Sequence, residues 1–302
     1  MIVENQANIK IHFAGLEVQL FAEILHECSG VRYSLFSIFP LIANVLGIKA
    51  IKQTSVEKES AKYLSKASRH SIMDSGLYSL MFGVHAGKRT EKDIEVWYNE
   101  IINFVNENQV RSSIVEVDCQ KMFGVEKAWE YRLKMEKDLP SNRRINVFHI
   151  EDGQKGLDRL IEFSDYLAIS VPELRKIKKK DHVERLANYI KSKKPSIDIH
   201  LLGCTENNLL NKLNFCSSSD STSWQQVNRF GVLNYNNGKK NLKIRNRDIN
   251  KDILNQKYRK QVDSIMSKWF EPNEKRFDSY SKFALAGELL LNQYTRYAGD
   301  QS

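Results

Sequence analysis

Cysteine is scarce and scattered in this chain. Cys28, Cys119, Cys204 and Cys216 form no Cys-x-x-Cys pair, so neither a zinc ribbon nor a disulfide framework is suggested. Reduced thiols in a cytoplasm are the expectation. No Gly-x-Gly-x-x-Gly follows the first strand-like run, which weakens a dinucleotide-binding fold. No basic-then-apolar leader opens the sequence. The longest apolar run, Leu35 to Ile48, contains Pro40 and is shorter than the roughly 20 residues of a membrane span. It reads as a strand end followed by a buried helix, and no membrane partner is expected. There is no internal repeat and no low-complexity linker.

What is there suits a globular chain with a sizeable core: 302 residues, 41% of them hydrophobic, with a net charge of +9. That charge suits a phosphate-bearing partner, although basic charge also serves solubility alone. Eight short β-branched or apolar runs are bounded by turn residues. They are Ile9–Ala14, Val31–Ser37, Ser71–Asp74, Ser113–Asp118, Ile145–Ile150, Tyr166–Ser170, Ile197–Gly203 and Phe215–Asp220. Helical patterns lie between most of them. Glu91–Asn108 places Ile94, Trp97, Ile101, Ile102 and Val105 on one face, and Glu184–Lys191 repeats the pattern before Pro195.

Eight strands alternating with helices predict an α/β fold, a (β/α)8 barrel of the TIM type spanning residues 1–230. After the eighth strand the chain turns polar and basic over Asn234–Lys251. Helical patterns over Gln256–Phe270 and Phe283–Tyr297 follow. Residues 231–302 are thus expected to be a basic, mainly helical C-terminal extension packed on the barrel.

Catalytic groups of such barrels sit where strands end. Those ends supply Asp74, Asp118, Glu151 or Asp152, Gly203 and Asp220. A lone aspartate after a strand is often only a helix N-cap. Four acids at one mouth repel each other and call for a substrate or an ion. The histidines show no metal-ligand spacing; His12, His149 and His200 lie within strands, where hydrogen-bonded core histidines are common. Glycosyl chemistry needs one carboxylate as nucleophile and one as acid/base, and no metal.

Four blocks resemble the guanine transglycosylase superfamily, the tRNA-guanine transglycosylases of queuine and archaeosine synthesis. Asp74-Ser-Gly76 with Leu77-Tyr-Ser79 is similar to its Asp-Ser-Gly motif. Tyr166-Leu-Ala-Ile-Ser-Val-Pro-Glu173 and His200-Leu-Leu-Gly-Cys-Thr-Glu206 are similar to two later blocks, and Asp220 falls where that family has its nucleophile. The series covers roughly residues 70–225. The departures are specific. The tRNA enzymes carry a cysteine and histidine zinc site after the barrel, whereas no cysteine or histidine follows Cys216 here. The family's Pro-Thr-Arg after the nucleophile is replaced by Ser221-Thr-Ser-Trp224. A compact, zinc-free tail resembles the DNA-modifying, DpdA-like branch, often encoded by phages.

The resemblance implies base exchange in DNA. A flipped deoxyguanosine would lose guanine to attack by Asp220 on C1′, and a free 7-deazaguanine such as 7-cyano-7-deazaguanine (preQ0) would take its place. Asp74 is implied as general acid/base and Asp118 as acceptor for the purine's N–H groups. Asp152 stands opposite a family glutamine, with His149 or Glu151 as alternatives. Ser170 and Gly203 would line the base pocket, and Tyr78 is open between stacking and core. Trp224 is open between a wedge under the flipped base and packing on the tail. No cofactor and no metal are implied, and a homodimer is one expected assembly. The expected location is a cytoplasm, the host's if the chain is phage-encoded.

DNA phosphates need cations. Lys239, Lys240, Lys243, Arg245 and Arg247 follow the eighth strand and are expected at the mouth's edge. Arg175 to Lys180 and Lys191 to Lys194 are the other clusters. The competing readings are a transglycosylase acting on tRNA, a nucleic-acid-binding barrel without catalysis, and an unrelated barrel glycosidase.

Overall fold

A computed structural model describes residues 8–48, 55–82, 89–176, 181–271 and 273–302. Eight parallel strands close into a barrel in sequence order. They are β1 (Lys10–Ala14), β2 (Tyr33–Ser37), β3 (His70–Asp74), β4 (Ser113–Val115), β5 (Arg144–Phe148), β6 (Tyr166–Ser170), β7 (Asp198–Leu202) and β8 (Ser218–Ser221). Strand β8 returns to β1, pairing His12 with Asp220 in register. The expected (β/α)8 barrel is therefore the observed one, and each predicted run contributes its strand.

Helices fill the connections: α1 (Gln19–Ser29), α2 (Phe39–Ile42), α3 (Ser55–Ala67), α4 (Leu77–Phe82), α5 (Glu91–Glu107), α6 (Gln120–Asp138), α7 (Gly153–Phe163), α8 (Val171–Lys176), α9 (His182–Lys193), α10 (Asn207–Lys212), α11 (Gln226–Arg229), α12 (Lys251–Met266) and α13 (Glu274–Ala298). The local chemistry explains several boundaries. Helix α5 starts on a capping box, with Thr90 Oγ1 accepting from Asp93 N–H and Asp93 Oδ2 accepting from Thr90 N–H, which satisfies two otherwise orphaned donors. Its buried face is Ile94, Trp97, Tyr98, Ile101, Phe104 and Val105. The apolar run from Leu35 divides into the end of β2, helix α2 with Pro40 in its first turn, and a 3-10 turn over Ala43–Leu46.

Strand β8 is shifted from the expected Phe215–Asp220. Serines are poor strand formers on their own. Here the neighbours supply the order: Ser219 Oγ donates to the Leu201 carbonyl at 2.8 Å, and Ser217 N–H donates to the Ile199 carbonyl.

The segment after residue 230 holds more than helices. Strands β9 (Val232–Asn236) and β10 (Asn241–Arg245) form an antiparallel hairpin. Helices α12 and α13 begin earlier than their periodicity suggests, at Asn caps: Asn250 Oδ1 accepts from Asp252 N–H, and Asn273 Oδ1 accepts from Lys275 and Arg276 N–H. Helix α13 packs on α1, α10 and β1, the place of an eighth barrel helix. The chain beyond 230 thus completes the ring rather than sitting outside it. Gly287 permits the α1–α13 contact, since a Cβ there would stand 2.5 Å from Leu25 and 2.6 Å from Ser29.

The barrel interior is stacked in zones. An apolar middle is made by Ala14, Leu35, Ile72, Val115, Ile145, Val147, Tyr166 and Ala168. A histidine zone of His12, His70 and His200 adjoins it, and acids crowd the strands' C-terminal ends. No described helix is long and apolar enough to cross a membrane.

Candidate active site

A cavity of about 660 Å³ opens at the C-terminal ends of the strands, floored by Ala14, Leu35, Val115, Val147 and Leu202. Five acids line it: Glu17, Asp74, Asp118, Glu173 and Asp220, with His149, Lys121, Lys176 and Arg229 as its cations. Asp74, Asp118 and Asp220 were legible as strand-end residues, whereas His149 and Ser170 entered through the resemblance.

Asp74 ends β3 and leads a tight turn. Its Oδ1 accepts from Gly76 N–H at 2.8 Å. Gly76 sits at φ +70 with Phe39 so close that a Cβ would meet its backbone nitrogen at 2.8 Å, so the turn requires glycine. Burial raises the Asp74 pKa above the ordinary carboxylate range, and the nearby Asp220 and Asp118 add to the rise. Asp74 is therefore biased toward carrying a proton.

Asp220 projects from β8. Its Oδ1 accepts from Gly203 N–H at 2.7 Å, and the Nε2 of His200 stands 3.3 Å from the same oxygen. Gly203 follows β7 in the left-handed region at φ +62. Expected as a wall of the base pocket, it stands beside the cavity rather than among its lining residues, and its amide supports Asp220.

Asp118 follows β4. Its Oδ2 lies 2.6 Å from His149 Nε2, while its Oδ1 is buried without a protein partner. His149 Nδ1 is 3.3 Å from Glu173 Oε2, and Glu173 Oε1 is 2.7 Å from Lys121 Nζ. Burial alone would disfavour the imidazolium, yet the hydrogen bonds to Asp118 and Glu173 outweigh it and raise the His149 pKa to about 10. The same bond from His149, helped by Lys121, lowers Glu173 to about 2. The chain Asp118–His149–Glu173–Lys121 is thus a run of alternating charges.

Asp152, expected opposite a base-binding glutamine, is occupied elsewhere through one oxygen. Its Oδ2 accepts from His149 N–H at 3.0 Å within a 3-10 turn, Ile150–Asp152, and it does not line the cavity. It holds the backbone at His149. Glu151 is exposed, so His149 is the member of that run inside the site. Trp224 is fully buried against Phe21 and Phe283, with Nε1–H donating to the Ala14 carbonyl at 2.8 Å. The packing role is the observed one.

Sequence reasoning missed three features. Glu17 lies in the loop after β1; its Oε1 accepts from Ser37 N–H, and burial raises its pKa. Glu116 is sealed behind the cavity, paired through both oxygens with Arg132 at 2.8 Å and accepting from Asn146 Nδ2 and Val147 N–H. Phe230 is 74% exposed, next to the cavity-lining Arg229. Only its neighbourhood to Asp220 in the sequence pointed there.

The four cysteines are unpaired, and burial pushes Cys119 and Cys216 up to about 12. His149, Glu151 and Glu173 hold ligand atoms within 4.8 Å of one another, but His149 would have to surrender its shared proton to bind a cation there.

Of the basic candidates, Lys243 lines a groove with Glu206, Asn207 and the hairpin's asparagines, while Lys239, Lys240, Arg245 and Arg247 are exposed. Arg247 has Asp248 at 3.7 Å. Lys178, Lys179 and Lys180 lie outside the described residues. A search of family models finds none that matches the chain, and a search of curated proteins finds no relative.

Proposed function

We propose that this protein is a DNA guanine transglycosylase, replacing guanine in DNA by a free 7-deazaguanine base. The observation that carries the reading is the pairing of two unlike carboxylates on one cavity. Asp74 is biased toward the protonated form, and Asp220 is oriented by a backbone amide. Pairs of acids with divergent environments mark acid and nucleophile in glycosyl chemistry.

In this reaction an oxygen of Asp220 bonds to C1′ as the bond from C1′ to guanine breaks. Asp74 passes its proton to the departing purine. The incoming base then attacks C1′, Asp220 leaves as a carboxylate, and the proton of the incoming ring nitrogen returns to Asp74. The unpartnered Oδ1 of Asp118 suits a purine N–H donor, and the imidazolium of His149 balances the acids around it. The choice of DNA follows the resemblance of the Asp220–Trp224 run. The hairpin's cations suit phosphates, and exposed Tyr78 and Phe230 suit stacking on bases.

The test is incubation with labelled guanine and duplex DNA, single-stranded DNA or tRNA, followed by nucleoside mass spectrometry with preQ0 as acceptor. Label is expected in DNA. Label in tRNA alone moves the reading to the tRNA enzymes, and label in neither polymer overturns base exchange.

A further inference from the structure

Three histidines share the barrel interior, and their hydrogen bonds are not equivalent. His12 Nδ1 is 3.3 Å from the Ser219 carbonyl, which only accepts, so Nδ1 carries the proton. His12 Nε2 then accepts from His70 Nδ1 at 2.8 Å, and His70 Nε2 accepts from Ser113 Oγ at 2.8 Å. Burial lowers the pKa of both, His70 to about 4, and every nitrogen of the two rings is satisfied.

His200 differs. It is fully buried, and its Nδ1 is 2.6 Å from Ser218 Oγ, which also bonds the Tyr166 hydroxyl. Its Nε2 has no hydrogen-bond partner, yet faces Asp220 Oδ1 at 3.3 Å. The tautomer follows from this arrangement. With the proton on Nδ1, a bare nitrogen lone pair would face a carboxylate oxygen. With Tyr166 donating to Ser218 and Ser218 donating to Nδ1, the proton sits on Nε2 and points toward Asp220. That arrangement gives the Tyr166 and Ser218 hydroxyl protons acceptors and leaves the Nε2 proton on the nitrogen 3.3 Å from Asp220 Oδ1.

We infer that His200 is a positioning residue for the nucleophile, donating from Nε2 to Asp220 Oδ1 as the carboxylate closes on its substrate. Gly203 N–H addresses the same oxygen. Two donors on Oδ1 fix the carboxylate plane and leave Oδ2 to meet the reacting carbon. A hydrogen bond that tightens on the way to the transition state is common at sites without ligand. Tyr166 and Ser218 serve by fixing the tautomer. The consequence for turnover rests on the base-exchange reading; the hydrogen-bond arrangement does not.

Nitrogen-15 NMR of the histidine rings tests the arrangement independently of activity. His200 is expected as the neutral tautomer protonated on Nε2, with that resonance moving in Asp220→Ala. A proton on Nδ1, or a resonance indifferent to Asp220→Ala, overturns the inference. Kinetics supply the second arm. His200→Asn removes the Nε2 donor and should lower kcat for guanine exchange about 100-fold, the scale of a misplaced reacting group, with KM for DNA unchanged. His200→Gln places an amide N–H near the Nε2 position and should restore most of that loss, at equal thermal stability. Wild-type kcat in folded His200→Asn also overturns the inference. If the unaltered protein exchanges no base, the proposed function fails instead, and the NMR result alone decides the role of His200.

Discussion

His149 joins Asp118 through a 2.6 Å contact from Nε2 to Oδ2, and its other nitrogen reaches Glu173. The imidazole is thereby held as a cation in a cavity wall that burial alone would keep neutral. This bond anchors Asp118 through one oxygen and leaves the other buried without a protein partner.

The stability of that network depends on pH in a calculable direction. The folded pKa of His149, about 10, lies above the ordinary histidine value of about 6.5. Its stabilisation is complete below about 6.5 and is lost as pH rises through 10. Glu173 is displaced the other way, to about 2, so its contribution is complete above about 4.5 and fades as pH falls through 2. Thermal unfolding from pH 6.5 to 10 should show a falling midpoint in the native protein. His149→Gln should flatten that limb; an unchanged slope would mean that the imidazolium is not held.

Asp74→Asn separates function from stability. The acid is buried beside two others and its pKa is raised, so ionising it opposes folding. Asparagine keeps an oxygen for the Gly76 N–H and carries no charge. The variant should lose base exchange while its melting temperature at pH 7 rises by about 2–4 °C, as about 1 kcal/mol gives for a domain of this kind. A lower melting temperature with retained exchange would remove Asp74 from the acid/base role.

Asp220→Asn and Asp220→Ala should abolish exchange while DNA binding survives, because affinity comes mainly from phosphate contacts. Nucleoside mass spectrometry and fluorescence anisotropy read the two properties on one sample. Near-normal turnover would move the nucleophile, with Asp74 next in line.

The fold was legible because strand runs and helical faces differ in period, and a barrel demands both in alternation. Asp74, Asp118 and Asp220 were legible because strand ends are where barrel chemistry sits. What the sequence could not give was pairing across the barrel. Asp152 sits at a strand end like the others, but its carboxylate turns back on its own backbone at His149. Glu17 lies in a loop with no motif, and its carboxylate is held by the N–H of Ser37, twenty residues away. His200 reads as an ordinary core histidine until β8 places Asp220 beside it. Helix α13 looked like an appendage because the long excursion through the hairpin hides its return to β1.

The Glu116–Arg132 pair supports the cavity from behind. Both side chains are almost fully buried, and Glu116 also accepts the Val147 N–H of the cavity floor. Arg132→Met removes the cation and leaves a buried carboxylate with only neutral donors. Breaking such a pair costs about 3–5 kcal/mol, measurable by urea unfolding. A loss below 1 kcal/mol would show that water or protonation of Glu116 relieves the charge.

The hairpin provides the last test. Lys239, Lys240, Lys243, Arg245 and Arg247 follow the strand that carries Asp220, and Lys243 shares a groove with the loop after β7, the same loop that gives Gly203 to Asp220. On the proposed reading, a polynucleotide reaching the cavity is expected to pass along this groove. Neutralising all five should weaken DNA binding and leave the chemistry of a bound guanine intact. Each lost phosphate contact lowers the salt slope of binding by about 0.9 on duplex or 0.7 on single strands. Titrations at several salt concentrations therefore count the contacts, and kcat at saturating DNA checks the pocket. Unchanged affinity and slope would assign these residues to solvated surface. The DNA track would then pass to the cluster at Lys176, Lys178, Lys179 and Lys180, of which Lys176 already lines the cavity.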